Sequence, residues 1–124
     1  MAVTKGAVAD ALAGFLVTDS IANNVAETDV TGNSSGVVHF IYINATSQNS
    51  AVYAKTSYNA NAASSSTVPV NKYYAPAGKA MTYIATSGHA YSGGALSFWG
   101  TTTTADATTQ SDPGASLTIR ILAT

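Results

Sequence analysis

Apolar and polar residues alternate along most of the chain after residue 20, and turn-forming clusters separate the alternating segments. The segment 117–122 shows the pattern most simply. In an extended strand, Leu117, Ile119 and Ile121 lie on one face. Thr118 and Arg120 then lie on the opposite face, so this segment predicts a half-buried strand with its apolar side turned inward.

A second segment, 37–43, is β-branched or aromatic almost throughout and is apolar on both faces. It predicts the strongest strand of the chain, placed centrally and covered on each side. Strand-like runs also occupy 51–58, 67–70, 81–86 and 95–103, while segment 21–30 predicts a weak strand or an extended lead-in.

Six to eight short strands at intervals of about ten residues indicate an all-β fold, an antiparallel β-sandwich or a jelly-roll-like arrangement. A parallel α/β fold needs amphipathic helices between its strands, and no helical pattern follows residue 20. The sequence therefore predicts one sandwich domain over residues 21–124.

Residues 1–20 predict an N-terminal arm or a short helix. Val8, Leu12, Phe15 and Leu16 recur at near-helical spacing, so one face of this segment is expected to dock on the core or on a neighbouring subunit. The apolar run is interrupted by Asp10 and Gly14 and is too short to span a bilayer, so no membrane partner is expected.

Charge is sparse along the chain. Only 9% of the residues are charged, against roughly 25% in ordinary globular proteins, and the formal net charge is −1. Five basic residues spread along the sequence form no basic patch, so nucleic acid is not an expected partner. Interface cores are depleted in charge in the same way, which favours a surface that lies against other proteins. An extracellular domain with a Thr/Ser coat is the alternative.

The pair Gly78-Lys79 invites comparison with a phosphate-binding loop. That loop needs a glycine five residues before the pair and a Ser or Thr directly after it, but Tyr73 and Ala80 occupy those positions. Pro76 is instead suited to the first central position of a turn, and Gly78 is suited to the left-handed conformation that closes it. The sequence predicts a hairpin turn here.

No catalytic or metal-binding pattern emerges from the remaining residues. His39 and His89 lack a second ligand at metal-binding spacing, and Glu27 with Asp29 indicates a solvated acidic edge, although calcium ligation there is conceivable. We expect no enzymatic activity, no metal and no cofactor.

Several aromatic residues are candidates for sugar-stacking platforms: Tyr73, Tyr74, Tyr91 and Trp99. Buried packing or an intersubunit contact explains them at least as well. Trp99 alternates with Phe98, so it faces either the outer side of its sheet or, in another register, the core.

Four short motifs give the region 37–98 a recognisable order. They are an aromatic strand ending at Tyr42-Ile43-Asn44, the step Tyr53-Ala54-Lys55, the turn Pro76-Ala77-Gly78, and the segment Gly94-Ala95-Leu96-Ser97-Phe98. This order resembles small virion structural proteins of tailed bacteriophages, including those that infect cyanobacteria. The resemblance covers about half of the chain.

The resemblance implies a β-sandwich on the outside of a phage particle, most simply a capsid decoration (cement) protein. It implies the major capsid protein or other virion proteins as partners, and a homo-oligomer, with a trimer favoured. A tail- or fibre-associated adhesin or carbohydrate-binding module is the alternative. The residues expected at contacts are Val8, Leu12, Phe15, Leu16, His89, Tyr91, Trp99 and Thr102.

Overall fold

The structure, a computed structural model, describes residues 3–7, 14–114 and 116–124. The described residues form eight antiparallel strands in two sheets and contain no helix, so the prediction of an all-β antiparallel fold is confirmed. No helix in this part of the chain is long and apolar enough to cross a membrane. The strands are β1 (Val3–Ala7), β2 (Phe15–Asp19), β3 (Gly36–Asn44), β4 (Val52–Ser57), β5 (Asn71–Ala75), β6 (Ala80–Tyr91), β7 (Ser97–Thr101) and β8 (Thr118–Ala123).

The larger sheet has five strands in the order β1-β2-β8-β3-β6, and the smaller has three in the order β5-β4-β7. Segment 22–30 runs along the outer edge of β7. There Glu27 and Phe98 exchange both backbone hydrogen bonds, at 2.8 and 3.0 Å, and Gly100 donates to the carbonyl of Asn23 at 2.8 Å. The segment therefore occupies the position of a fourth strand beside β7, in the extended conformation that its sequence predicts.

The chain passes from one sheet to the other in the connections β3–β4, β5–β6, β6–β7 and β7–β8. The predicted turn at Pro76 lies in one of these connections. Gly78 has a φ of 75°, and the amide of Lys79 donates to the carbonyl of Pro76 at 3.2 Å. The turn is present, but the prediction of a hairpin is wrong, because β5 and β6 enter different sheets.

The core lies between the two sheets, where the inward residues of the larger sheet meet those of the smaller. From the larger sheet it takes Ile41, Ile43, Ile119 and Ile121, all fully buried. Phe98 of β7 packs against them from the other side. The inward alternation predicted for segment 117–122 is thus confirmed.

Strand β3 lies between β8 and β6, and its core-facing residues are buried. Its other face is not covered as predicted, because Phe40 and Tyr42 are only half-buried. An aromatic strand with two apolar faces is consistent with burial on both sides, but no described element lies over this side of the sheet in the protomer.

The predicted N-terminal helix is wrong for the described residues. Val3–Ala7 and Phe15–Asp19 are strands that pair with each other, and Phe15–Asp19 also pairs with β8. In β2 the period is two, so Phe15 packs towards the core while Leu16 faces outward. The near-helical spacing of the apolar residues therefore does not mark one surface. Val8 and Leu12 lie outside the described residues.

Candidate functional site

The outward side of the five-stranded sheet, here called the outer face, carries apolar residues in register across four strands. Leu16 of β2 lies opposite Leu122 of β8, and Leu122 lies opposite Phe40 of β3. Phe40 in turn lies opposite Ile84 of β6. Residues directly opposite one another in antiparallel strands share a face and touch. We call these four residues the apolar row.

The apolar row is accessible in the protomer. Ile84 is 73% exposed, and Leu16, Leu122 and Phe40 are half-buried. Single exposed apolar residues are ordinary, but a contiguous set of them on one face of a sheet is typical of a surface that meets another protein.

A second row lies beside the apolar row and ends in a threonine at each edge of the sheet. Its members, in order across the five strands, are Thr4, Thr18, Arg120, Tyr42 and Thr82. The guanidinium carbon of Arg120 lies 5.7 Å from the centroid of the Tyr42 ring, so the one charged residue of the two rows is held against an aromatic face. The outer face is nearly free of charge.

A bulge interrupts the pairing of β3 and β6 next to the apolar row. Val38 pairs with His89 and Phe40 pairs with Ile84, so residues 85–88 have no partner on β3. A cavity of about 180 Å³ opens at this bulge, and both Tyr73 and Tyr83 contribute to its walls. Burial raises the pKa of the Tyr73 phenol. The exposed His89 lines the same cavity. It lies opposite the buried Val38, so this predicted contact residue is on the core-facing side of β6, at the edge of the sheet.

The outward side of the smaller sheet is covered around Lys55 and Trp99, whereas Tyr74 on the same side is 45% exposed. Lys55 lies opposite Trp99 on this side, and both are buried. The Lys55 ammonium donates to the carbonyl of Ala105 at 2.7 Å and to Oε1 of Gln110 at 2.9 Å. It therefore holds the loop 102–111 over the sheet.

An ion pair completes this network. Asp106 lies 3.0 Å from the Lys55 ammonium and 3.2 Å from that of Lys72. Partial burial alone would raise the pKa of the Asp106 carboxyl, but the hydrogen bonds and charges of Lys55 and Lys72 outweigh it and lower that pKa. The carboxylate stays ionised and neutralises the buried lysine.

The end of the sandwich beside this loop holds a polar cleft of about 460 Å³. Its lining includes Gln48, Asn49, Thr102 and Asp112. Thr102, another predicted contact residue, donates its backbone amide to the carbonyl of Ser111 at 3.2 Å. The cleft offers side-chain donors and acceptors on an open surface.

Of the acidic residues near the start of the domain, Asp29 is exposed, as the solvated edge predicts, and Glu27 is half-buried. Asp19 is buried, and burial raises the pKa of its carboxyl. The pKa of Glu27 is raised too, first by burial and then by the charge of Asp19. No group of three or more His, Cys, Asp or Glu residues suited to a metal ion occurs in the described ranges.

The structure separates the remaining predicted contact residues. Phe15 packs on the core side, with the Lys5 ammonium 4.4 Å from its ring centroid, whereas Leu16 belongs to the apolar row. Tyr91 is 3% exposed, and its hydroxyl donates to the carbonyl of Thr124 at 2.6 Å. Trp99 is 1% exposed. Tyr91 and Trp99 are thus interior residues and offer almost no surface to a partner.

Sequence reasoning missed three members of the apolar row: Phe40, Ile84 and Leu122. Alternation along β8 marks Leu122 as outward, since Ile119 and Ile121 are inward. Alternation in the sequence therefore indicates the outward position of Leu122 but not those of Phe40 and Ile84. Phe40 and Ile84 lie in the same row as Leu122 because of the strand order and register, and alternation within one strand does not specify either.

Comparison with known proteins finds no matching family model, no similar curated protein and no similar solved structure.

Proposed function

We propose that the chain is a structural, non-enzymatic component of a tailed-phage virion. In this proposal it is a capsid decoration protein that binds the exterior of the shell, with the major capsid protein as its partner. The observation that carries the proposal is the apolar row, an accessible set of four side chains on a nearly uncharged outer face.

The strand order supports a jelly roll, which is one specific topology of a two-sheet antiparallel sandwich. In that fold two four-stranded sheets enclose the core, and the chain alternates between them. Here one sheet contains β2-β8-β3-β6, and the other contains β7-β4-β5 with segment 22–30 beside β7. Jelly rolls are common in viral capsid proteins and in lectins, so the topology suits both the proposal and its alternative.

The physical mechanism is burial of apolar area at contacts that the particle repeats many times. Fully burying a leucine or phenylalanine side chain contributes about 1.5–3 kcal/mol, so one row of four side chains gives a modest contact. A symmetric oligomer that engages several shell subunits at once binds far more tightly than one protomer does. Few charges on the outer face mean little desolvation cost on docking.

The experiment that tests the proposal uses the phage whose genome encodes the chain. Particles carrying a labelled copy are purified and imaged, and we expect label over the whole head surface. Label confined to the tail would contradict the capsid assignment and favour the alternative. Absence of the chain from purified particles would contradict any virion role.

The polar cleft favours a second candidate, a tail- or fibre-associated carbohydrate-binding module. Asn49 and Asp112 present amide and carboxylate groups in the cleft that suit sugar hydroxyls. Trp99 is buried and does not supply a stacking platform. Under this candidate, a glycan array detects saturable binding that Asp112→Ala abolishes, while Asp29→Ala, at an exposed acid outside the cleft, leaves it intact.

A further inference from the structure

Strand β6 forms one edge of the five-stranded sheet, and it differs from the other open edges. It is twelve residues long and contains no Asp, Glu, Lys or Arg. The edge strands β1 and β5 are five residues long, and each contains a lysine. The remaining edge, that of β7, is bonded by segment 22–30.

Natural sheet edges are protected by shortness, by charge, by proline or by bulges, because unpaired N–H and C=O groups otherwise recruit another strand. Strand β6 uses only the bulge, which distorts residues 85–88. Its first part, 80–84, pairs regularly with β3 on one side. Among the described residues, no strand pairs with its other side. This part of the edge is unprotected.

We infer that the edge 80–84 pairs with the same segment of a second copy of this chain, in an antiparallel and two-fold symmetric arrangement. The inference goes beyond the proposed virion role and does not depend on it. The assembled unit is then a ten-stranded sheet shared by two protomers, five strands from each.

Three observations favour a second copy as the occupant. A strand that pairs with itself brings identical residues near one another, and like charges there are destabilising, but β6 contains no charged residue. Two-fold pairing is antiparallel, which is the commoner and slightly more stable arrangement. Joining β6 to β1 of the next copy would instead be parallel, because the alternating strand directions make β1 and β6 point the same way.

The register follows from the length of the regular segment. An antiparallel pair that uses all of residues 80–84 places its midpoint, Thr82, opposite Thr82 of the second copy. Directly opposed residues in such a pair have Cα atoms about 4.5–5.5 Å apart, which is within the range that a disulfide spans. Ile84 would gain a cross-strand neighbour and lose much of its exposure.

The chain offers a matched control at the other end of the same row. Thr4 and Thr82 are both exposed threonines on the outer face, and they end the row on β1 and β6 respectively. Because the chain has no cysteine, each position can carry a single introduced thiol.

The first test is sedimentation of the full chain and of the variants Thr82→Lys and Thr4→Lys. We expect the unmodified chain and Thr4→Lys to be dimers and Thr82→Lys to be a monomer with unchanged circular dichroism. A monomeric unmodified chain, a trimer, or a Thr82→Lys variant as dimeric as the unmodified chain would each overturn the inference.

The second test is oxidation of Thr82→Cys and Thr4→Cys at micromolar concentration. Pairing gives the two Thr82→Cys thiols an effective concentration in the millimolar range, so at micromolar protein this variant should cross-link about a thousandfold faster than Thr4→Cys. Equal cross-linking rates would overturn the proposed register and the pairing at this edge.

Discussion

The fully buried ammonium of Lys55 lies 3.0 Å from Oδ1 of Asp106. It also donates to the backbone carbonyls of Thr104 and Ala105, which belong to the same loop and lie 49 and 50 positions further along the chain. The charge of Lys55 thus holds the loop 102–111 against the outward side of the smaller sheet. A buried ammonium needs an acceptor for each of its three hydrogens, and the loop supplies carbonyl, amide and carboxylate oxygens. The loop position is therefore fixed by the lysine.

Asp106→Asn is expected to destabilise the protein. Breaking a fully buried ion pair costs roughly 3–5 kcal/mol, but the Asp106 side chain is 28% exposed and Lys55 keeps its other acceptors. We therefore expect a loss of about 1–3 kcal/mol in the free energy of unfolding, measured by chemical denaturation. Asp112→Asn is the control, since Asp112 is exposed and its Oδ1 acceptor is retained in asparagine. Equal effects of the two substitutions would contradict the role of the ion pair.

Burial of Asp19 makes the stability of the protein depend on pH. Its pKa in the folded protein lies above the ordinary value of 3.8 because burial disfavours the charged form. The unfolded chain therefore releases this proton at lower pH than the folded chain does. Stability is lost as pH rises from about 3.8 through the folded pKa. Asp19→Asn should remove this loss and raise stability at neutral pH.

The same substitution has a second readout at Glu27. Burial is the main cause of the raised Glu27 pKa, and the charge of Asp19 adds to it. An NMR titration of Asp19→Asn should show the Glu27 pKa moving down towards its ordinary value. An unchanged Glu27 pKa, or an unchanged pH dependence of unfolding, would contradict the coupling between the two carboxylates.

Gly88 is required by the bulge in β6. It has a φ of 75°, and an added Cβ would lie 2.1 Å from Cγ1 of Val37. Gly93 has the same φ, but nothing lies within 4 Å of an added Cβ. Left-handed backbone costs a non-glycine residue roughly 1–2 kcal/mol, and the collision adds about 1–3 kcal/mol at Gly88 alone.

Gly88→Ala should therefore lower the free energy of unfolding by more than Gly93→Ala does. Thermal or chemical denaturation of the two variants measures the difference. The combination of Gly88→Ala with Val37→Ala should recover part of the loss, since it removes the atom that collides. If Gly93→Ala proves as costly as Gly88→Ala, the contact with Val37 does not determine the shape of the bulge.

Much of the fold follows from local pattern. The alternation in 117–122 and the β-branched run at 37–43 predict β8 and β3, and both strands form there. Pro76 and Gly78 likewise predict a turn that is present. These features depend on neighbouring residues in the chain, so the sequence shows them directly.

Features that depend on register or on distant loops are not predictable in this way. The N-terminal segment has apolar residues at near-helical spacing, but its pairing with β8 imposes a period of two on Phe15–Asp19. Trp99 faces outward in its strand as alternation allows, yet it is buried on the side that the Lys55-anchored loop covers. The apolar row combines four strands that are far apart in sequence.

Leu16 gives the most direct probe of the outer face. It belongs to the apolar row but lies on β2, away from the β6 edge, so its substitution separates shell binding from pairing between two copies of the chain. Val68 is the matched control, because it is an apolar residue that is 67% exposed and lies outside the five-stranded sheet.

For the proposed virion role, the decisive measurement is cosedimentation of the purified chain with phage heads that lack it. We expect saturable binding of the unmodified chain and of Val68→Asp. Leu16→Asp should bind at least about tenfold more weakly. Unfolding transitions should show that all three proteins are folded. Heads that bind none of the three, or that bind Leu16→Asp as tightly as the unmodified chain, would contradict the claim that the outer face docks on the shell.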